Sequence, residues 1–314
     1  MPKTVGPLQW FGGKAQLAPW ILRYLPPHHR YVEVFGGAAA LLFAKGPSPI
    51  EIYNDVDQGL VGFFRVLRDP AQFPEFFRRV QLVPYSRAEF SAFRQNWQKP
   101  ADAVERAVRW YVVARWSFSG DWGSSWSYDL QEVHARGPGH ISRWLAALDA
   151  LPAFHCRLMR VLIEQADWRT MVARYDGPET LFYLDPPYVP DTRKSGEYQH
   201  ELTTDDHHEL VARLLTVRGR VLLSGYDSPI YAPLTAAGWV RQEKHVPLWA
   251  LNRRKNETQQ RVESLWLNPA CVAVQRQLTL WTGGECDGVG HPPDSPRAGE
   301  REQLGAGESV GQDL

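Results

Sequence analysis

The sequence has few cysteines and lacks long apolar runs. Its 314 residues include three cysteines, which are far apart and lack the Cys-x-x-Cys or Cys/His spacing of a zinc site. This argues against a disulfide scaffold and against structural zinc. No stretch of about 18 uncharged apolar residues is available to span a membrane, and Met1-Pro2-Lys3-Thr4 lacks the apolar core of a signal peptide. We therefore expect a soluble protein of the reducing cytoplasm.

The sequence also lacks a net charge, because 35 basic residues balance 35 acidic ones. The balance is uneven along the chain, since residues 283–314 contain seven acids and two bases. That segment is rich in Gly, Pro and Ser without periodicity, so we expect a disordered acidic tail. The remainder is mildly basic, which permits nucleic-acid binding without demanding it. A basic cluster at Arg253, Arg254 and Lys255 fits either a phosphate contact or a solvated loop.

A Gly-x-Gly-x-x-Gly loop for a dinucleotide is missing as well. The apolar run at 31–35 is followed by Gly36, Gly37 and three alanines, a pattern that predicts a strand, a turn and the start of a helix. Backbone N–H groups at such a turn can receive a ligand close to the main chain. Asp55 stands nineteen residues beyond Gly36, where nucleotide-binding folds place an acid on ribose hydroxyls. These features favour a nucleoside that carries no pyrophosphate.

Strand and helix patterns alternate in two separate parts of the chain. The first part predicts strands at 31–35 and 50–53 and helices at 38–44 and about 60–67. The second predicts strands at 181–184 and 220–224, helices at 205–216 and 229–237, and antiparallel strands at 239–246 and 262–268. Between them, residues 70–165 combine helical periodicity with scattered arginines and many tryptophans. We expect an α/β fold with a mainly helical insertion.

A carboxylate, two prolines and an aromatic ring follow the buried strand predicted at 181–184, in the run Asp185-Pro186-Pro187-Tyr188. Ligands of α/β sheets bind at this end of the strands. The Asp185 carboxylate and the Pro186 carbonyl can each accept one N–H of an exocyclic amine, and Tyr188 offers a flat face for a nucleobase. The run fits either an amine site or an ordinary turn at a strand end.

Near the N-terminus, the segment Trp10-Phe11-Gly12-Gly13-Lys14 places an indole and an ammonium on either side of a turn. Lys14 can pair with a ligand carboxylate, and Trp10 can pack on a cation or a ring. A nucleoside, a carboxylate and a positive centre together describe S-adenosylmethionine. An amphipathic N-terminal arm is the alternative interpretation of this segment alone.

These segments, with Tyr31 to Ala39 and Tyr53-Asn54-Asp55, resemble the Dam-type (D12 class) N6-adenine DNA methyltransferases in order and spacing, over about residues 8–270. Residues 261–269 resemble the strand that closes the catalytic domain of that family. The resemblance implies a Rossmann-like, S-adenosylmethionine-dependent methyltransferase sheet with an inserted, mainly helical target-recognition domain. We expect a cofactor-binding half at 1–69, the DNA-binding insertion at 70–165, a catalytic half at 166–282 and the tail at 283–314.

The resemblance also implies roles for individual residues. The residues expected to bind the cofactor are Trp10, Lys14, Glu33, Phe35, Gly36, Asp55 and Asp185, and those of the catalytic run are Asp185, Pro186, Pro187 and Tyr188. Arg115 and Arg136, with the cluster at 253–255, are candidates for contact with double-stranded DNA. The family often has Asn-Arg-x-x-Phe-Asn-Gly where this chain has Ala114 to Gly120, so known sequence specificity does not transfer.

The expected reaction is methylation of the exocyclic N6 of an adenine that has left the duplex and stacks on Tyr188. No metal is required, Tyr198 and His200 are either lid residues or surface residues, and we expect the chain to act as a monomer. Two alternatives stay open. N4-cytosine methylation uses the same amine chemistry, although that group more often has Ser in place of Asp185. A DNA-binding relative without catalysis is disfavoured because the catalytic run and Asp55 are intact.

Overall fold

The computed structural model describes residues 6–10, 12–128, 131–134, 136–189, 200–247 and 260–274. Its helices are α1 (Ala18–Ile21), α2 (Ala40–Ala44), α3 (Gln58–Arg68), α4 (Phe73–Gln81), α5 (Arg87–Asn96), α6 (Ala103–Trp116), α7 (Gly139–Leu158), α8 (Trp168–Tyr175), α9 (Thr204–Leu214) and α10 (Ala232–Ala236). Its strands are β1 (Arg30–Glu33), β2 (Ile50–Asn54), β3 (Val133–His134), β4 (Gly137–Pro138), β5 (Val161–Glu164), β6 (Thr180–Leu184), β7 (Arg220–Gly225), β8 (Val240–Pro247) and β9 (Gln260–Leu267). Within the described ranges, none of the helices combines the length and apolar character that a membrane crossing requires.

The described strands include one seven-stranded sheet in the order β5-β2-β1-β6-β7-β9-β8. The first five strands are parallel, and β9 pairs antiparallel with both β7 and β8. The parallel strands follow the 3-2-1-4-5 order of doubly wound nucleotide-binding folds, which confirms the predicted Rossmann-like class. Because the strand order reverses between β1 and β6, ligands are expected beyond the carboxyl ends of these two strands.

Both faces of the parallel strands are covered, since successive strand residues point to opposite sides of the sheet. Tyr31 and Tyr183 belong to a core formed with α3, α6 and α7. Their neighbours Val32 and Phe182 belong to a second core formed with α8 and α9. All five positions of β6 are buried, so the segment is continuously apolar in sequence.

Helix starts are specified by local side chains. The Asp57, Asp102 and Asp167 carboxylates accept backbone N–H groups at the starts of α3, α6 and α8. Thr203 forms a reciprocal capping box with Asp206 at the start of α9.

Two elements differ from the sequence-based expectation. The helix expected at 38–44 begins only at Ala40, because Ala39 has a left-handed φ of +56°. Strand β5 lies within the stretch expected to be the insertion, yet it pairs in parallel with β2. Helices α4, α6 and α7 also share one hydrophobic core with α3. The stretch expected to be the insertion, 70–165, therefore contributes one strand to the sheet. Its helices pack directly against α3 of the first α/β part.

Candidate active site

A cavity of about 320 Å³ lies at the carboxyl ends of β1, β2, β5 and β6. Its position is the one that the reversal of strand order predicts. Eight residues expected in the cofactor or catalytic sets, far apart in sequence, line this cavity: Trp10, Lys14, Glu33, Phe35, Gly36, Asp55, Asp185 and Pro187. Pro186 and Tyr188 are not among the lining residues. Tyr188 contacts Lys14, which does line the cavity.

The Gly36 turn forms one wall by lying directly against β2. A Cβ at Gly36 would lie 2.2 Å from the Tyr53 ring, and the Gly36 N–H donates to the Asn54 carbonyl at 2.7 Å. The Tyr53 hydroxyl in turn donates to the Gly37 carbonyl at 2.8 Å, and Gly37 has a φ of +47°. The absence of a side chain at 36 lets the turn lie directly against the Tyr53 ring. The Gly36 and Gly37 N–H groups, which the sequence offered to a ligand, both donate within the protein instead.

The Asp55 carboxylate is tied to the same turn. One oxygen accepts the Gly37 N–H at 2.8 Å, and the other accepts the Asp57 N–H at 2.9 Å. Burial raises the pKa of Asp55, and these two backbone donors oppose that rise. Each carboxylate oxygen has a second lone pair, so Asp55 can still accept hydroxyl donors from a ligand in the cavity.

The Asp185 carboxylate follows β6 and has two unlike oxygens. Oδ2 pairs with the Lys14 ammonium at 2.8 Å, and Lys14 also donates to the Gly12 carbonyl at 2.9 Å. Oδ1 is buried and accepts no hydrogen bond from the described residues. Burial raises the pKa of Asp185, while the charge of Lys14 lowers it. Because a buried polar oxygen without a partner is costly, the free Oδ1 marks a place for a donor from a bound molecule.

The Tyr188 ring is held from several sides. Tyr188 is 4% exposed, and its hydroxyl donates to Glu263 Oε2 at 2.8 Å. The Lys14 ammonium lies 4.8 Å from the ring centre, and the Tyr226 ring makes an edge contact with a centroid distance of 4.5 Å. A nucleobase can therefore stack on Tyr188 only after a neighbour moves.

Glu33 is a buried acid of the cavity wall. It ends β1, and its Oε2 accepts both the Tyr31 hydroxyl and the Leu42 N–H at 3.0 Å. Burial raises the pKa of Glu33 to about 8, because these two hydrogen bonds offset only part of the cost of desolvation. The side chain is therefore mainly protonated and uncharged at neutral pH, and it adds no charge to the cavity.

The wild-type protein is expected to lose stability as the pH rises, because the buried Glu33 must then ionise. Replacing Glu33 by glutamine is expected to remove that loss. The pKa is raised on folding from an ordinary 4.5 to about 8, so the contribution of Glu33 is complete below the lower value and is lost as the pH rises through the higher one. Glutamine stays neutral and can still accept both hydrogen bonds. Thermal melting of both proteins should show the difference shifting in favour of the variant across this pH window. A constant difference at every pH would contradict the assignment.

The structure adds a segment that the sequence analysis did not identify. Residues 166–169, directly after β5, line the cavity. There, the Arg169 guanidinium pairs with Asp206 and Glu209, both at 2.6 Å. The segment was missed because β5 was not recognised as a strand of the sheet. Its one local signal is Asp167, which caps α8.

Of the two candidate lid residues, Tyr198 and His200, only His200 is among the described residues. His200 lines the cavity, and its Nε2 lies 3.7 Å from Asp57 Oδ2. Tyr198, Arg253, Arg254, Lys255 and the tail at 283–314 lie outside the described residues. Their roles stay predictions.

The candidate DNA-binding arginines of the helical stretch lie in different surroundings. Arg115 lines a second cavity of about 360 Å³, together with Gln9 and Phe118, and its buried Nε–H donates to no partner among the described residues. Arg136 forms an ion pair with Asp149 on the surface. The roles of both arginines in DNA binding stay predictions.

The loop after α6 contacts the N-terminal arm. A Cβ at Gly120, where φ is +73°, would lie 3.0 Å from the backbone of Gln9 and Trp10. Phe118, two residues earlier, is 60% exposed. The neighbouring tryptophans Trp110 and Trp116 are buried in the core. The loop therefore presents one exposed aromatic ring beside the arm that carries Trp10.

Comparison with known proteins agrees with this geometry. The family model for the D12 class N6 adenine-specific DNA methyltransferase matches residues 10–242. The chain is 27% identical to the Type II methyltransferase M1.LlaDCHI of Lactococcus lactis subsp. cremoris, over 62% of this chain and 69% of that protein. It is 24% identical to the DNA adenine methylase of Salmonella typhi, over 73% of this chain and 84% of that protein. It is 25% identical to the DNA N-6-adenine-methyltransferase of Escherichia phage P1, over 70% of this chain and 30% of that protein. The chain belongs to the D12 class of N6 adenine-specific DNA methyltransferases.

Proposed function

We propose that this enzyme binds S-adenosylmethionine in the cavity beside the Gly36 turn and methylates an adenine amine held by Asp185 and Pro186. One observation carries the proposal. A buried carboxylate oxygen of Asp185 has no partner among the described residues, and Asp185 is one of the residues that line the cavity. The exocyclic amine of a nucleobase is a donor of the kind this oxygen lacks.

The residues of the cavity fit the proposed cofactor. The volume of about 320 Å³ lies within the range of sites for small organic ligands. Asp55 keeps free lone pairs for ribose hydroxyls, and the Gly36 turn lines the cavity beside it. Lys14 uses two of its three N–H donors on Gly12 and Asp185, so a third is left for a carboxylate. When bound, S-adenosylmethionine supplies an electrophilic methyl group.

The chain itself must make the target amine more nucleophilic, because the lone pair of an adenine amine is delocalised into the ring. Asp185 and the Pro186 carbonyl, as two acceptors, would each take one N–H and favour a pyramidal nitrogen. The lone pair would then point away from both acceptors. The negative charge of Asp185 would also stabilise the positive charge that develops on nitrogen. Fixed alignment of the amine supplies a further part of the rate.

The adenine must leave the duplex to reach Asp185, because the amine is paired and stacked within DNA. We place the extruded base against Tyr188, on the face that the Lys14 ammonium covers at 4.8 Å. Withdrawal of that ammonium toward a ligand carboxylate would uncover the ring. Lys14 would thus connect the two binding events through its contacts with Asp185 and Tyr188.

The experiment that tests this function is identification of the product. The protein is incubated with methyl-labelled S-adenosylmethionine and a pool of unmethylated random-sequence duplexes, and the DNA is digested to nucleosides. We expect the label in N6-methyldeoxyadenosine, with none transferred when DNA is omitted. Label in N4-methyldeoxycytidine would establish the cytosine alternative. DNA binding without transfer would establish a non-catalytic protein.

A further inference from the structure

The Tyr188 hydroxyl donates a hydrogen bond to the Glu263 carboxylate of β9. The donor and acceptor are 2.8 Å apart, and Glu263 is 2% exposed. Glu263 lies on β9, whereas the catalytic run follows β6. Glu263 does not line the cavity. This hydrogen bond to a buried acceptor fixes the phenol end of the ring.

The carboxylate is itself oriented. Glu263 Oε1 pairs with Arg261 Nε at 3.1 Å, which leaves Oε2 directed at Tyr188. Tyr226, the residue after β7, makes an edge contact with the Tyr188 ring. The Tyr188 ring is therefore located by a hydrogen bond at its tip and an aromatic contact at its side. A ring held in this way can present one face without rotating.

We propose that Glu263 is a positioning residue for methyl transfer, which orients Tyr188 so that the target adenine stacks in line with Asp185. The inference rests on the proposed function, in which Tyr188 contacts the base. Glu263 does not line the cavity, and its contact with the catalytic run is the hydrogen bond from the tyrosine hydroxyl. Small errors in the plane of Tyr188 would misplace the adenine amine relative to its two acceptors, and reaction rates fall steeply with such misplacement.

The test compares four variants in single-turnover methyl transfer to the random-sequence duplexes. E263A and Y188F each remove the same hydrogen bond, and we expect each to slow transfer roughly tenfold while the Kd for S-adenosylmethionine changes less than about twofold. The double variant should be no slower than either single variant, because the two changes remove one interaction. E263Q should keep most of the rate, since its amide carbonyl can still accept the hydroxyl and Arg261 is 41% exposed and free to turn outward.

E51Q provides the matched control. Glu51 is a buried carboxylate on β2 of the same sheet, paired with Lys45 and Arg157 and outside the cavity lining. Its loss should lower the melting temperature and leave the rate per folded molecule unchanged. E263A at the wild-type rate, or additive losses in the double variant, would overturn the inference. If E263A does not fold, the comparison of Y188F with E263Q still decides it. Absence of N6-methyldeoxyadenosine with the wild-type protein would instead refute the proposed function.

Discussion

Replacement of Asp185 by alanine is expected to slow methyl transfer by at least about 10²- to 10³-fold, the usual effect of removing one preorganised electrostatic contact to a transition state. The physical reason is that Asp185 combines a buried, unpartnered oxygen with a charge, both at the cavity. An alanine offers the target amine no acceptor and leaves the positive charge on its nitrogen without compensation. Single-turnover transfer of labelled methyl groups measures the effect.

Two further variants separate chemistry from folding. D185N keeps the shape but presents an amide to Lys14 and to the amine, so it should lose a similar factor. D227A is the matched control, since Asp227 follows the neighbouring strand β7, pairs with Arg241 and lies outside the cavity lining. Its transfer rate should stay within about twofold of wild type because its surface ion pair contributes little. A rate for D185A within tenfold of wild type, with DNA binding retained, would sink the proposed mechanism.

Replacement of Gly36 by alanine is expected to destabilise the fold by about 1–3 kcal/mol or more, the cost of overpacking a rigid site. The added Cβ would lie 2.2 Å from the Tyr53 ring and 2.8 Å from the Asn54 carbonyl. Neither neighbour can move freely, because Tyr53 is fully buried and Asn54 ends β2. The turn must therefore separate from β2, which also moves the Gly37 N–H away from Asp55. Denaturant unfolding and titration with S-adenosylmethionine should both show the loss.

Gly62 provides a control of opposite sign. It lies within α3, and nothing is found within 4 Å of a Cβ placed there. G62A should stabilise the protein by about 0.5–1 kcal/mol, since alanine loses less conformational entropy than glycine in a helix. Equal effects of G36A and G62A would show that the contact between the turn and β2 does not constrain the cofactor wall.

Local patterns predicted most of the α/β elements because those elements depend on local causes. The apolar run that became β6, the alternation in β8 and β9, and the Thr203 cap of α9 are all readable without knowledge of the fold. β5 was not recognised, because a strand of four residues with half-exposed positions has little periodicity of its own. Its pairing with β2, more than a hundred residues earlier, is what makes it a strand.

The candidate site divides in the same way. The sequence by itself indicated the residues of the proposed chemistry: the acid after β6, the acid after β2 and the glycine turn after β1. Each follows a strand directly, so its place at the edge of the sheet follows from chain direction. The family resemblance assigned these residues to the cofactor and the base, and the match to the D12 class confirms that family.

Only the tertiary structure decided the contacts between these residues. Lys14 reaches Asp185, and Glu263 reaches Tyr188, because an N-terminal arm and the strand β9 are brought to the end of β6. Burial then sets the charge states, raising the pKa of Glu33 and of Asp185 through desolvation. A sequence pattern indicates which side of a segment is buried and which side is exposed to water. It does not indicate which distant segment packs on the buried side. Ion pairs, burial and shifted pKa values all depend on that packing between distant segments.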